Sequence, residues 1–197
     1  FIDCISIYMD RLYVTVSNFT LLNIRIYGVF VDNDCDYVTL KNLKIIDTQN
    51  QRGICVTEGT TNLFIENIAV SSFGSPSNTD GIFIDGTMSN PITDVVIKNC
   101  LSEGNTQIGI QMNNCQRVFL FNCIASSNGQ DGFCFLNVNS LMDAHYCMQN
   151  CIAINNEDHG FNLTEIDSSS MQFCRAIGNG TVGTFDGIRF SDQGTIE

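Results

Sequence analysis

The chain has 197 residues, with 9 Lys and Arg against 21 Asp and Glu, for a formal charge of −12. That balance excludes a nucleic-acid binder working through a basic face. Hydrophobic residues make up 44 % and charged residues 15 %, which argues against disorder, and no run of about 18 apolar residues is present to form a membrane-spanning helix. Asn occurs 22 times, against 5 Ala, 3 Lys and 6 Glu. Helix formers are scarce, while Ile, Val, Phe and Thr suit strands and Asn suits turns and left-handed corners. The expectation is an all-β chain, a single domain over 1–197. It opens at Phe1 in mid-pattern, with no initiating Met and no signal peptide, so a fragment of a longer chain is expected.

Along the chain, Gly28, Gly53, Gly81, Gly109, Gly132, Gly160 and Gly187 recur at spacings of 25, 28, 28, 23, 28 and 27. Each is followed by an apolar–any–apolar pair, from Val29/Val31 through Ile82/Ile84 to Ile188/Phe190, the alternation of a half-buried strand. A second column, Asn18, Asn42, Asn67, Asn99, Asn122 and Asn150, closes a second alternating strand, with Phe173 in the seventh place. A third short strand follows at once, with inward pairs Phe19/Leu21, Leu43/Ile45, Ile68/Val70, Cys100/Ser102, Cys123/Ala125, Cys151/Ala153 and Cys174/Ala176. Three short strands per repeat predict a solenoid of about seven coils with strands stacked about 4.8 Å apart. No helical cap is expected within the chain. Terminal repeats need a polar cover, so further polypeptide or a partner is expected over both ends.

These features resemble the right-handed parallel β-helix of the pectin-lyase-like superfamily over nearly the whole chain. The resemblance implies the fold, with the Asn column internal and Asn18 therefore buried. It leaves function open, because the fold hosts many functions.

Of ten cysteines, Cys100, Cys123, Cys151 and Cys174 share one inward column. Stacked Cβ atoms about 4.8 Å apart exceed the roughly 3.8 Å of a disulfide. A ladder of buried thiols formed in a reducing compartment is expected. Cys-x-x-Cys motifs and His clusters are absent, so no zinc site is predicted. Sequons stand at Asn18, Asn162 and Asn179, with the last two the better placed for modification.

The sharpest local motif is Asn78-Thr79-Asp80-Gly81. It is similar to the Asn-Thr-Asp-Gly signature of polygalacturonases, inverting glycosidases whose two carboxyls stand about 6.5–9.5 Å apart. The rest of that signature is missing: Gln107-Ile108 replaces an Asp pair, Gln130-Asp131-Gly132 replaces Gly-His-Gly, and Ile188-Arg189-Phe190 only echoes Arg-Ile-Lys. Asp80 and Asp131 fall two coils apart, about 9.6 Å by strand stacking, and would be the catalytic pair. Asn78, Asp158, His159, Asp186 and Arg189 would line the same column as ligand contacts. Three readings compete for this column: ordinary Asp-Gly turn chemistry, contact with a ligand or a cation such as Ca²⁺, and catalysis. Loops longer than their neighbours, at 71–80 and 177–186, end on it, and turns near 86–92 and 137–143 are extended as well.

Alternation also places Phe64, Val96, Phe119 and Phe121 outward on the second strand, and Leu101, Ile124 and Ile152 outward on the third. Together they form an apolar area that a monomer rarely leaves bare. A second subunit, a trimer among the options, or more of the same chain would cover it. Two functions follow. The first is a structural and interaction module of a larger surface or virion assembly that contacts glycans. The second is a polysaccharide hydrolase or lyase using Asp80 and Asp131. Against the second stands the scarcity of Lys to hold an acidic polymer. No cofactor, nucleic acid or membrane is expected.

Overall fold

The computed structural model describes residues 5–8, 12–48, 51–72, 79–137, 145–166, 168–180, 187–191 and 195–196. The first coils run β1 (Ile5–Ile7) and β2 (Thr15–Ile24), then β3 (Tyr27–Val31) and β4 (Thr39–Thr48), then β5 (Arg52–Thr57) and β6 (Thr61–Ser71). The next two are β7 (Asp80–Asp85), β8 (Ile92–Lys98) and β9 (Leu101–Glu103), followed by β10 (Ile110–Asn113), β11 (Cys115–Phe121) and β12 (Ile124–Ser126). The last are β13 (Phe133–Leu136), β14 (His145–Gln149) and β15 (Ile152–Ile154), then β16 (Phe161–Thr164), β17 (Ser168–Gln172) and β18 (Arg175–Ile177), and finally β19 (Ile188–Ser191) and β20 (Thr195–Ile196).

Every strand pairs in parallel with its counterpart one coil on, giving an eight-stranded sheet β1-β3-β5-β7-β10-β13-β16-β19 and a twelve-stranded one. This is the right-handed parallel β-helix expected from the repeats, with one adjustment. About six full turns are described, β3/β4 through β16–β18, with a partial turn at each end, rather than seven. The three-strand coil is also not universal. In the early coils the second and third strands are one long strand, β2, β4 and β6, and the twelve-stranded sheet forks at β6: its residues 61–66 pair with β8 and 69–71 with β9.

The corners are made by left-handed residues. Asn18, Asn42, Asn67, Asn99, Asn122, Asn150 and Phe173 all have φ between 53° and 64°. Asn tolerates this conformation, and each Asn Nδ2 donates to the Oδ1 of the Asn one coil earlier, from Asn42 to Asn18 through Asn150 to Asn122. The ladder is real, but it is not internal. The left-handed backbone turns these side chains outward, and Asn18 is exposed.

A second, buried amide ladder was not read from the sequence. Asn128 Oδ1 accepts from Asn105 N and Nδ2, Asn156 Oδ1 from Asn128, and Asn179 Oδ1 from Asn156. Asn105, Asn128 and Asn156 are at most 1 % exposed. Each amide fills the gap between a small inward residue and the glycine column. A Cβ on Gly109 would lie 2.6 Å from Asn128 Nδ2 and 2.7 Å from Gly132 O, so only Gly fits.

The core holds the inward Ile, Val and Leu residues of the early coils and Phe133, Phe135, Phe161 and Tyr146 of the later ones. Phe133 and Phe161 stack with centroids 4.8 Å apart. Phe19, expected inward, is 51 % exposed, because β2 pairs only with β4 and ends the sheet. The nine described cysteines are free thiols. Cys100, Cys123 and Cys151 are buried in their column, each Sγ donating to backbone carbonyls. Contact with Cys100 first, with burial adding, pushes Cys123 up to about 12, and Cys123 and burial do the same to Cys151.

Candidate functional site

The residue before each column glycine stands at the entry to the eight-stranded sheet, opening β5 and β7 at Arg52 and Asp80 and lying two residues ahead of β10, β13 and β16 at Ile108, Asp131 and His159, so one edge of that sheet carries these five in successive coils. Gly81 N donates to Ile108 O, Gly109 N to Asp131 O and Gly132 N to His159 O, which fixes the stacking. Asn78 and Asp186 lie outside the described residues, as do 73–78 and 181–186 of the two long loops and 138–143 of the extended turn.

Asp80 is 2 % exposed. Its Oδ1 accepts from Ile108 N at 3.2 Å and its Oδ2 from Arg52 Nε at 3.1 Å. Arg52, not singled out from the sequence, also lies over the Phe83 ring at 3.7 Å. Its position directly before Gly53, in the Asp80 column, was the available signal. Burial raises the Asp80 carboxyl above its ordinary range, and the Ile108 amide and Arg52 only partly offset this.

Asp131, 6 % exposed, repeats the arrangement. Its Oδ1 accepts from His159 N at 2.8 Å and its Oδ2 from Asn162 Nδ2 at 2.8 Å. Arg189 Nη1 donates to His159 Nε2 at 3.2 Å, which makes that ring nitrogen the acceptor. Asp158 sits beside the column, half-buried, its carboxyl raised by desolvation and by Asp131. Burial, reinforced by Asp131, likewise pushes the Cys134 thiol well up. The structure thus groups Asp131, Asp158, His159 and Arg189, with Asn162 as a further member. Asp80 stands two coils away with Ile108 between, about 9.6 Å by strand stacking.

Chemically, each carboxylate joins neighbouring coils. One oxygen holds the backbone amide of the next coil and the other holds a side chain. Among the described residues no group of three or more His, Cys, Asp or Glu is placed to hold a metal ion. The outward neighbours on this face are recessed: Cys55, Phe83 and Cys134 are 3 %, 6 % and 3 % exposed. Gln111, Asn162 and the Asn113–Asp85 pair (3.0 Å) add planar polar groups along it.

Two sequon amides are engaged: Asn162 Nδ2 on Asp131, and Asn179 Nδ2 on Ala153 O. Asn18, expected to be buried, is exposed, with its Nδ2 on Ser17 Oγ and its Oδ1 accepting from Asn42.

The apolar residues lie on the twelve-stranded sheet. Phe64, Val96 and Phe119 form one column by register, with Phe121 beside Phe119 on β11, and Leu101, Ile124 and Ile152 form another. Phe119 is 42 % exposed and the other six are half-buried. The Phe119 and Phe121 rings are parallel, 6.5 Å apart. Phe119 separates a hollow of about 300 Å³ lined by Asn62, Phe64, Asp94 and Val96 from one of about 160 Å³ lined by His145, Cys147 and Ser170.

A family model described as right-handed β-helix region matches residues 80–197. No curated protein matches the chain in sequence. Among solved structures, the A-module of an Azotobacter vinelandii mannuronan C-5 epimerase aligns with TM-score 0.61 and 11 % identity, over 95 % of this chain and 60 % of that module. A pectate lyase aligns with TM-score 0.48 and 14 % identity, over 98 % of this chain and 66 % of its own. A rhamnogalacturonan lyase aligns with TM-score 0.47 and 16 % identity, over 76 % and 49 %. The chain thus spans less than two thirds of the epimerase module, and at these identities the likeness is one of fold.

Proposed function

The chain belongs to the right-handed β-helix family, and from that premise we propose that it is a glycan-contacting structural module of a larger assembly, its sugar-facing surface being the recessed outer face of the eight-stranded sheet. The observation that carries this reading is the occupancy of the candidate acids. Both oxygens of Asp80 and both of Asp131 are held by an amide of the next coil and by a neighbouring side chain. Each oxygen already accepts one hydrogen bond, and with Asp80 2 % and Asp131 6 % exposed little of either carboxyl is open to a leaving group or a water. Gln111 and the exposed Arg189, with the Asn162 amide between them in the same outward column, instead present planar polar groups to the hydroxyls of a polymer lying across the coils, while the buried His159 backs Arg189.

A second reading, a polysaccharide-processing enzyme, draws on one specific feature. Burial raises the Asp80 carboxyl, the direction a general acid needs. The aligned epimerase module, by its name, acts on mannuronan. A panel of neutral and acidic polysaccharides, assayed for binding and for product release, separates the two. Binding without release, weakened by Asn162→Ala and Arg189→Ala, supports the module. Release or conversion abolished by Asp80→Asn or Asp131→Asn establishes the enzyme, and neither binding nor release sinks both.

A further inference from the structure

The apolar strip on the twelve-stranded sheet is self-complementary, and we propose that it docks against the same strip of a second copy across a two-fold axis running along the strands between β8 and β11. This contact uses the sheet that the glycan reading leaves alone, so either can fail without the other.

Three outward columns cross the strip. The first reads Asn62, Asp94, Arg117, His145; the second Phe64, Val96, Phe119, Cys147; the third Glu66, Lys98, Phe121, Gln149. A two-fold axis in the sheet plane and parallel to the strands keeps each column opposite itself but reverses the order of coils. With the axis between β8 and β11, Asp94 faces Arg117 of the other copy and Arg117 faces its Asp94. Val96 faces Phe119, Phe64 faces Cys147, and Lys98 faces the Phe121 ring, a cation on an aromatic. Glu66 faces Gln149. No like charges meet.

Neighbouring registers are worse. An axis through β11 sets Arg117 on Arg117, and one through β8 sets Asp94 on Asp94 and Lys98 on Lys98, each an unfavourable like-charge contact. An axis between β6 and β8 avoids this, but it puts Phe119, the most exposed apolar side chain of the strip, on Thr39. Within one chain Arg117 already holds Asp94 through two hydrogen bonds of 2.8 Å. The two-fold joins two such pairs into a four-charge ring flanking the apolar centre. Four coils at about 4.8 Å by five residues at about 3.3 Å give roughly 19 by 17 Å, about 650 Å² over two copies. That is below the size of a stable interface, so a weak, transient dimer that fills only at high concentration is expected.

The test is sedimentation velocity of the chain at rising concentration, with a register-specific crosslink. The expected result is a concentration-dependent dimer. Phe119→Asp should weaken it at least about tenfold with an unchanged circular dichroism spectrum, since the side chain points outward. If that variant does not fold, charge reversal takes its place: Asp94→Arg alone weakens the dimer, and Asp94→Arg with Arg117→Asp restores it. Phe64→Cys should form an interchain disulfide with native Cys147 on mild oxidation, lost when Cys147→Ser is added. A chain that stays monomeric, a trimer, a dimer indifferent to Phe119→Asp and to charge reversal, or a disulfide that survives Cys147→Ser each overturns the proposal. So does a monomer whose binding to a soluble glycan is abolished by Phe119→Asp, because a sugar then occupies the strip.

Discussion

The early and late coils close the same corner with different chemistry. In the early coils the inward residue is large: Ile45 and Val70 reach the glycine column, so a Cβ on Gly53 would lie 2.2 Å from Val70 Cγ1. Three residues after the inward Leu21 and Ile45 stand Ile24 and Thr48, and Thr48 hydrogen-bonds Ser72. In the late coils the inward residue shrinks to Ser102, Ala125, Ala153 and Ala176, and the position three residues on becomes Asn105, Asn128, Asn156 and Asn179. Lost aliphatic volume is replaced by an amide that also satisfies backbone groups. Burying an amide costs free energy wherever it is left unbonded. Stacking supplies the bonds of the inner rungs, each of which uses the rungs before and after it, whereas the first rung, Asn105, has no earlier amide and leaves its Oδ1 without a partner. A β-helix corner can thus be sealed by apolar volume or by a polar ladder, and the ladder needs several consecutive coils.

The largest effect that would break this contrast is at the middle rung. Asn128→Leu removes the acceptor of Asn105 N and Nδ2 and the donor to Ser102 O. Several buried polar groups lose their partners, at about 1–3 kcal/mol each and not additively. An overall loss of about 3–5 kcal/mol is expected in urea unfolding. A loss below about 1 kcal/mol would mean that the ladder is ornament and that apolar volume alone closes both halves.

Next in size is a transplant. Ala125→Val installs an early-coil side chain where Asn128 already fills the space, and overpacking of this kind costs about 1–3 kcal/mol. Adding Asn128→Ala, which makes room, should recover part of that loss, with a coupling of about 0.5–3 kcal/mol. Strict additivity would show that the two positions do not share one cavity.

Charge burial gives a smaller, pH-dependent contrast. The Asp80 carboxyl is raised by burial, so the folded chain holds that proton more tightly than the unfolded one. Its contribution is present below the ordinary value of 3.8 and is lost as pH rises from there through the folded value. Asp94 runs the other way. The Arg117 hydrogen bonds, the leading cause, hold it low, so its contribution is present above 3.8 and is lost as pH falls through the folded value. Asp80→Asn should therefore flatten the fall in stability above pH 3.8 and Asp94→Asn the fall below it, read from unfolding midpoints across pH. The Asp94 effect is the weaker, because its pair with Arg117 is over two-fifths exposed on both sides.

Much of the fold was legible. The glycine column, the outer Asn column and the thiol column are each a single residue type at coil spacing, and one residue type repeated in register survives inspection without an alignment. The buried ladder was hidden for two physical reasons. It begins only at the fourth coil, because Ile and Thr occupy the position earlier, and 22 Asn make four more of them inconspicuous. The fused strands β2, β4 and β6 were not legible either. Leu43 and Ile68 carry the hydrogen-bonded ladder through the corner, whereas Cys100, Cys123 and Cys151 leave it, and alternation reads the same in both cases. At the candidate site the column was legible but its wiring was not. Whether Asp80 and Asp131 spend their oxygens on amides depends on partners 28 residues away in the next coil.

The smallest effect separates the two Asn ladders from each other. Asn122 and Asn128 are six residues apart, and each bonds the equivalent amide of a neighbouring coil. Asn122 is exposed, with φ of 53°. Asn122→Gly keeps the left-handed corner without strain and removes one amide bond that water replaces, so a change under about 1 kcal/mol is expected. Asn122→Ala keeps a Cβ in the left-handed conformation but loses the amide that makes it tolerable for Asn, and should cost about 1–2 kcal/mol. If Gly costs as much as Ala, the amide bond rather than the backbone conformation selects Asn on the outer column. If Gly is neutral and Ala is not, the outer column is Asn because of its backbone and the inner one because of its side chain.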